Sequence, residues 1–107
     1  VVGARLGKTI LELGGNNAII IDDTANLDMA IPATVFGAVG TAGQRCTSPR
    51  RIIIQEDIMD TFVERLVKAY QQVRIGDPLV AETLMGPLVN AGAVEVFEQA
   101  MREVHAA

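Results

Sequence analysis

Two short runs of isoleucine, joined by a long uncharged segment, limit the possible folds of this chain more than any other feature. The first run, residues 18–21 (AIII), is predicted to be a strand buried on both faces, as is typical of parallel sheets. The second run, residues 51–55 (RIIIQ), is predicted to be another strand. Between them, residues 28–42 are predicted to form a buried helix, in which Pro32 is tolerated because the helix starts near Asp28.

Two amphipathic helices are predicted after the second strand. Asp57 is predicted to cap the first, which ends at Gly76 and in which Glu64 and Lys68 would pair four residues apart. Asn90 is predicted to cap the last helix. Strands that alternate with helices predict an α/β fold with mostly parallel strands.

Composition narrows the class of protein. The chain has 107 residues, 50% of them apolar, and a net charge of −4. This charge gives no basic surface for nucleic acid. The uncharged segment 29–43 is too short to span a bilayer, so we expect neither a nucleic-acid nor a membrane partner.

The only cysteine cannot form an internal disulfide, which indicates a reducing compartment, and we expect a cytoplasmic protein. The first residues show no signal-peptide pattern and no initiator methionine, so we expect a piece of a longer protein. The acidic stretch around Asp22, Asp23 and Asn26 lacks the spacing of a calcium loop. We expect helix capping there and no metal site.

That cysteine, Cys46, lies in an arginine-rich stretch between the predicted helix and the second strand. Loops at such positions carry function, and Gly43 allows the preceding helix to end in a left-handed conformation. A thiol reacts as its thiolate, which the nearby Arg45, Arg50 and Arg51 would favour. The alternative is a buried structural cysteine, since free cysteine is among the most buried residue types.

Glu12 is the second unusual residue, because it lies in the apolar run 9–13 (TILEL), a candidate strand that ends at two glycines. Ligands of open α/β sheets bind beyond the carboxyl ends of strands, where a partly desolvated carboxylate can act as a general base. The alternative is an exposed Glu12 on an edge strand, since glutamate is usually exposed.

These two motifs together resemble the aldehyde dehydrogenase superfamily, in which a glutamate precedes two glycines and a cysteine follows a glycine-glutamine pair. Here the ELGG motif begins at Glu12, thirty-four residues before Cys46 in the GQRC motif. The later motifs GDP (76–78) and GPL (86–88) also fit the family. The runs ELGGNNAIII and VGTAGQRCTSPRR most resemble the branch that oxidises aminoadipate semialdehyde, the antiquitin-like or piperideine-carboxylate dehydrogenases.

The resemblance implies a reaction and roles for both residues. Cys46 would be the nucleophile that adds to the aldehyde carbon, and its backbone N–H would stabilise the oxyanion. Hydride transfer to NAD would leave a thioester. Glu12 would then deprotonate the water that hydrolyses this thioester.

The resemblance also implies binding residues. Glu12, Leu13 and Gly14 would lie beside the nicotinamide of NAD, with NADP as the alternative cofactor. Arg45 and Thr47 would line the substrate end of the site, where a guanidinium suits an aldehyde that bears a carboxylate. The alternative for Arg45 is a structural ion pair.

The resemblance finally implies a three-layer catalytic domain with mostly parallel strands, of which residues 1–107 are the N-terminal portion. Most of the cofactor domain and the oligomerisation strands would lie outside it, the whole enzyme would be a homo-oligomer, and the chain alone would be inactive. Two other functions stay open. One is a cysteine-dependent hydrolase of esters or thioesters, and the other is a non-catalytic α/β segment with an inert thiol.

Overall fold

The computed structural model describes residues 1–107 and contains a β-α-β unit followed by two helices. In chain order the elements are β1 (Asn17–Ile21), α1 (Leu27–Val39), β2 (Pro49–Ile54), α2 (Glu56–Tyr70) and α3 (Ala91–Ala106), with short 3₁₀ turns at Gly3–Arg5 and Gly40–Gly43. The two strands are parallel, and Ile19 lies opposite Ile52. The predicted α/β class with parallel strands is confirmed.

The strand predicted at residues 9–13 is wrong. The sheet has two strands, and residues 7–16 are irregular, with Ile10 90% exposed. A strand exists only where a neighbour completes its hydrogen-bond ladder, and neither β1 nor β2 pairs with this stretch. Its apolar side chains therefore do not indicate a strand by themselves.

Helix α1 begins one residue before the predicted start because Asn26 caps it. The Asn26 side-chain oxygen accepts hydrogen bonds from the N–H groups of Asp28 at 3.0 Å and Met29 at 3.3 Å. Pro32 consequently lies in the second turn and not in the first. The helix ends at Val39, three residues before the predicted end, because residues 41–43 adopt left-handed backbone conformations.

The predicted ends of α2 are wrong, whereas the predicted cap of α3 is confirmed. Gln55 precedes the first turn of α2, and Asp57 lies within that turn, where its negative charge suits the helix dipole. The helix ends at Tyr70, well before Gly76. In α3 the Asn90 side-chain oxygen accepts from the Ala93 N–H at 2.9 Å.

The core is small and lies on one face of the sheet, beneath α1 and α2. Ile21, Ile31 and Phe62 form it, and Phe62 is fully buried. The opposite face is open, since Ile20 is 76% exposed. The predictions of strands covered on both faces and of a buried α1 are therefore wrong for this chain, because α1 and α2 cover only one face.

The chain is less compact than a closed domain. Only five of its 107 residues are buried. The radius of gyration is 17.6 Å, whereas a compact domain of this length has about 13 Å. None of the helices has both the length and the apolar character needed to cross a membrane.

Candidate active site

Cys46 lies at the tip of a tight turn that a buried serine closes. The Ser48 N–H donates to the Arg45 carbonyl at 3.1 Å, and the Arg45 N–H donates to Ser48 Oγ at 3.2 Å. Ser48 is 1% exposed, whereas Cys46 and Thr47 are exposed. The turn therefore buries Ser48 at one end, half-buries Arg45 at the other and presents the thiol to solvent, which contradicts the alternative of a buried structural cysteine.

A run of left-handed residues precedes the turn. Thr41 and Ala42 have φ values of 52° and 53°, and Gly43 has 69°. Such conformations cost non-glycine residues on the order of 1–3 kcal/mol each, so neighbouring contacts must hold them. Gln44 supplies one of these contacts, because its Nε2 donates to the Thr41 carbonyl at 2.9 Å, and a second bond holds Gln44 itself, because its Oε1 accepts from the Val89 N–H at 2.8 Å.

The bond between Val89 and Gln44 connects the GPL motif at residues 86–88 to the segment before Cys46. Val89 follows that motif directly, and its N–H is the donor to Gln44. The motif is thereby joined to the segment that ends in Cys46, although 45 residues separate the two bonded positions.

Asn17 joins the stretch that contains Glu12 to the cysteine turn. Its Nδ2 donates to the Cys46 carbonyl at 2.7 Å and to the Ser48 carbonyl at 3.3 Å. Beside it, Arg51 Nη2 donates to the Asn16 carbonyl at 2.7 Å. The two residues that follow the ELGG motif therefore contact the cysteine turn and the strand that follows it, whereas Glu12 itself makes no hydrogen bond with Cys46.

Three arginines surround the turn, and each binds backbone carbonyls. Arg50 Nη1 donates to the Gly43 carbonyl at 3.2 Å and to the Ser48 carbonyl at 3.1 Å. Arg45 Nη2 donates to the Phe36 carbonyl at 2.9 Å, and its guanidinium carbon lies 4.9 Å from the centre of the Phe36 ring. Arg45 forms no ion pair, so its contacts differ from the structural alternative that the sequence left open.

The predicted location of the site relative to the strands is wrong. The sequence places Glu12 near the carboxyl end of a strand, but Glu12 lies five residues before β1. Cys46 lies just before β2, and Asn17 faces Pro49 at the start of the parallel pair. The candidate site therefore lies at the amino ends of both strands.

The predicted cofactor residues Glu12, Leu13 and Gly14 lie in one exposed stretch. No hydrogen bond joins the side chains of Glu12 and Cys46, and neither residue lines a cavity. The structure thus brings the two stretches together but does not enclose a substrate between the two side chains.

Sequence reasoning missed Asn17 and Ser48. Ser48 precedes a proline, and a Ser-Pro pair is a known turn signal that could have identified it. Asn17 is a polar residue at the start of an isoleucine run, where its amide is available to bond to a neighbouring segment. That signal indicates a tether but not its partner.

The comparisons with known proteins agree with this geometry. The family model described as the aldehyde dehydrogenase family matches residues 2–107. This chain belongs to the aldehyde dehydrogenase family. In structure it is similar to betaine aldehyde dehydrogenase from Staphylococcus aureus, solved in complex with NAD⁺, with a TM-score of 0.86 and 31% identity over 94% of this chain and 20% of that one.

Curated relatives place the similarity within one branch. The chain is 50% identical to the alpha-aminoadipic semialdehyde dehydrogenase of Rattus norvegicus, over 96% of this chain and 19% of the relative. It is 48% identical to aldehyde dehydrogenase family 7 member A1 of Brassica napus, over 96% of this chain and 21% of the relative. The chain therefore spans about a fifth of the length of these relatives.

Proposed function

We propose that this chain is the part of an aldehyde dehydrogenase that carries the nucleophile Cys46 and the general base Glu12. The observation that carries the proposal is the exposed thiol on a turn that Asn17 holds against the Glu12 stretch. In the proposed domain organisation, residues 1–107 are the N-terminal portion of a catalytic domain. The whole enzyme is proposed to be a cytoplasmic homo-oligomer.

The proposed reaction oxidises an aldehyde to a carboxylic acid in two stages. The Cys46 thiolate forms a bond to the aldehyde carbon, and the carbonyl oxygen takes the negative charge of a thiohemiacetal. The Cys46 N–H donates to that oxygen. When the aldehyde hydrogen leaves with its electron pair, the carbonyl reforms and Cys46 carries a thioester. Glu12 then takes a proton from water, the hydroxide attacks the thioester, and the acid leaves as Cys46 recovers its thiolate.

NAD, or alternatively NADP, would accept the hydride when it is bound, and an open stretch of backbone supports the proposal that Glu12, Leu13 and Gly14 hold its nicotinamide. A Cβ atom built on Gly14 would meet no atom within 4 Å, so the backbone there is open to a flat ring. Leu13 is 73% exposed beside it and offers an apolar surface. These residues would hold the ring, whereas the rest of the cofactor requires other parts of the enzyme.

The proposed substrate is a semialdehyde that bears a carboxylate. The rat relative is named for alpha-aminoadipic semialdehyde, and Arg45 is next to the nucleophile. Arg45 Nη2 is bonded to the Phe36 carbonyl and Nη1 makes no hydrogen bond within the protein, so Nη1 is the atom proposed to bind a substrate carboxylate. Thr47 is exposed on the other side of Cys46 and would line the same end of the site.

The test measures NADH formation by the full-length enzyme with alpha-aminoadipic semialdehyde and with propanal. Wild-type enzyme should form NADH with both and favour the semialdehyde, and Cys46→Ala should form none while still binding NAD. Hydrolysis of an ester without NAD, with no NADH from any aldehyde, would instead establish the hydrolase alternative. A Cys46→Ala enzyme that retains oxidation would contradict the proposal outright.

A further inference from the structure

The amide of Asn17 makes two hydrogen bonds to the cysteine turn, across sequence separations of 29 and 31 residues. Both partners, the carbonyls of Cys46 and Ser48, are acceptors. The side-chain nitrogen must therefore face them, because the amide oxygen would be repelled. The 2.7 Å bond to the Cys46 carbonyl holds the peptide group between Cys46 and Thr47, directly after the nucleophile.

Asn17 adds side-chain hydrogen bonds at a point where the backbone pairing of the two strands is irregular. Its opposite residue is Pro49, which has no N–H, and the register of the two strands is irregular between Asn17 and Ala18. Beside this irregular pair, the side chain of Asn17 donates to two carbonyls of the segment before Pro49. This arrangement fixes the end of β2 that carries the Cys46 turn.

Gly15 of the ELGG motif leaves room for this tether. A Cβ atom built on Gly15 would lie 3.0 Å from Asn17 Oδ1 and 3.4 Å from Asn17 Nδ2. Any larger residue there would push the amide away from its present position. Gly15, two residues before Asn17, therefore helps the Asn17 amide to keep the position from which it bonds to the cysteine turn.

We propose that Asn17 is a positioning residue that sets the distance and orientation of Cys46 relative to the Glu12 stretch; this rests on the proposed function. It touches no substrate in the proposed reaction and acts through the carbonyl of the nucleophile. Loss of the amide donor lets the Cys46 turn shift while leaving the thiol exposed. Because reacting groups must be held within a narrow geometry, a shift of about 1 Å lowers turnover on the order of 10²-fold.

The experiment compares four variants of the full-length enzyme. Asn17→Asp removes the donor with an isosteric side chain, and Asn17→Leu removes it without adding charge. Asn17→Gln keeps a donor and should recover part of the activity. Asn16→Asp is the matched control, since the Asn16 side chain makes no hydrogen bond and only its carbonyl accepts from Arg51.

The readouts separate positioning from folding. Asn17→Asp and Asn17→Leu should lower the NADH burst rate per site and kcat by about 10²-fold, with the KM for NAD and the rate of iodoacetamide labelling of Cys46 unchanged. Burst amplitude counts the folded sites, so the rate per site stays measurable even if a variant is less stable. A rate per site equal to that of Asn16→Asp overturns the proposal, as does a loss confined to the KM for NAD. Wild-type enzyme that forms no NADH would refute the proposed function instead.

Discussion

The side-chain nitrogen of Asn17 lies 2.7 Å from the carbonyl oxygen of Cys46, although 29 residues separate them in sequence. Asn17 begins β1 and Cys46 precedes β2, so this bond joins the amino ends of the two parallel strands. The cysteine turn is therefore held against the start of β1, two residues after the end of the ELGG motif. Substitutions that remove the bond between Asn17 and Cys46 should lower turnover more than they weaken cofactor binding.

Ser48 provides the first prediction, because its hydroxyl closes the turn from inside the protein. Ser48→Ala removes the buried hydroxyl that accepts from the Arg45 N–H and leaves that partly buried donor without its partner. The free energy of unfolding of the full-length enzyme should fall by about 1–3 kcal/mol, as measured by urea denaturation. Thr61→Ala removes an exposed hydroxyl from α2 and should change it by less than about 0.5 kcal/mol. Equal effects of the two substitutions would show that the turn does not need Ser48.

The second prediction separates the roles of Glu12 and Cys46. Glu12→Gln should preserve the initial burst of NADH and slow the steady state, because only thioester hydrolysis needs the base. Stopped-flow absorbance measures both phases in one experiment. Glu82→Gln, at an exposed acid outside the site, is the control. If Glu12→Gln also abolishes the burst, Glu12 acts earlier, for example in activating the thiol.

The third prediction concerns Gly40, whose lack of a side chain admits the Arg45 guanidinium. A Cβ atom built on Gly40 would collide with Arg45 Nη2 and lie 3.0 Å from its Cζ. Gly40→Ala should therefore displace Arg45 from the Phe36 carbonyl, and because this bond is exposed and the guanidinium is the mobile end of its side chain, the free energy of unfolding should fall by only about 0.5–1.5 kcal/mol. Gly3→Ala is the matched control, since its added Cβ would meet no atom within 4 Å. Thermal unfolding of the two variants should differ, and equal melting temperatures would contradict the role assigned to Gly40.

The fourth prediction concerns pH and the pair formed by Glu64 and Lys68 on α2, which the sequence predicted correctly. A hydrogen bond from Lys68, together with its charge, lowers the pKa of Glu64. The pair therefore stabilises the folded state above the pKa that Glu64 has when unfolded, about 4.3, and this contribution disappears as pH falls through the lower folded value. Lys68→Ala should raise the pKa of Glu64, which an NMR titration measures. An unchanged titration would mean that the pair does not form in solution.

The sequence predicted the parts of the fold that depend on local signals. The isoleucine runs became β1 and β2, and Asn90 caps α3, because burial patterns and capping act over a few residues. The irregular stretch around Glu12 was mistaken for a strand because pairing depends on a neighbour that local sequence does not specify. Local motifs identify Cys46 as a candidate nucleophile. Its bond to Asn17 depends on two segments that meet only in the folded chain, so the local sequence does not predict it.

The fifth prediction concerns the 107-residue chain by itself, which should self-associate and should oxidise no aldehyde even with NAD present. Hydride transfer needs the nicotinamide held against the reacting carbon, and such positioning is worth about 7–11 kcal/mol of barrier. Here neither Glu12 nor Cys46 lines a cavity, so the chain has no enclosed site in which to hold both reactants. An NADH assay with the purified chain, beside the full-length enzyme as the positive control, measures this directly.

The same chain should self-associate because large apolar side chains remain open to water. Phe36 and Phe97 are 69% and 57% exposed, and Ile20 on the open face of the sheet is 76% exposed. Burying apolar surface of this extent against another protein surface is favourable, and a second copy of the chain offers such a surface. Size-exclusion chromatography across a dilution series should show a mass that rises with concentration, whereas Ile20→Lys should shift the equilibrium toward the monomer. A concentration-independent monomer that oxidises an aldehyde would overturn both expectations, since it would have to bind and enclose its substrates with the residues present.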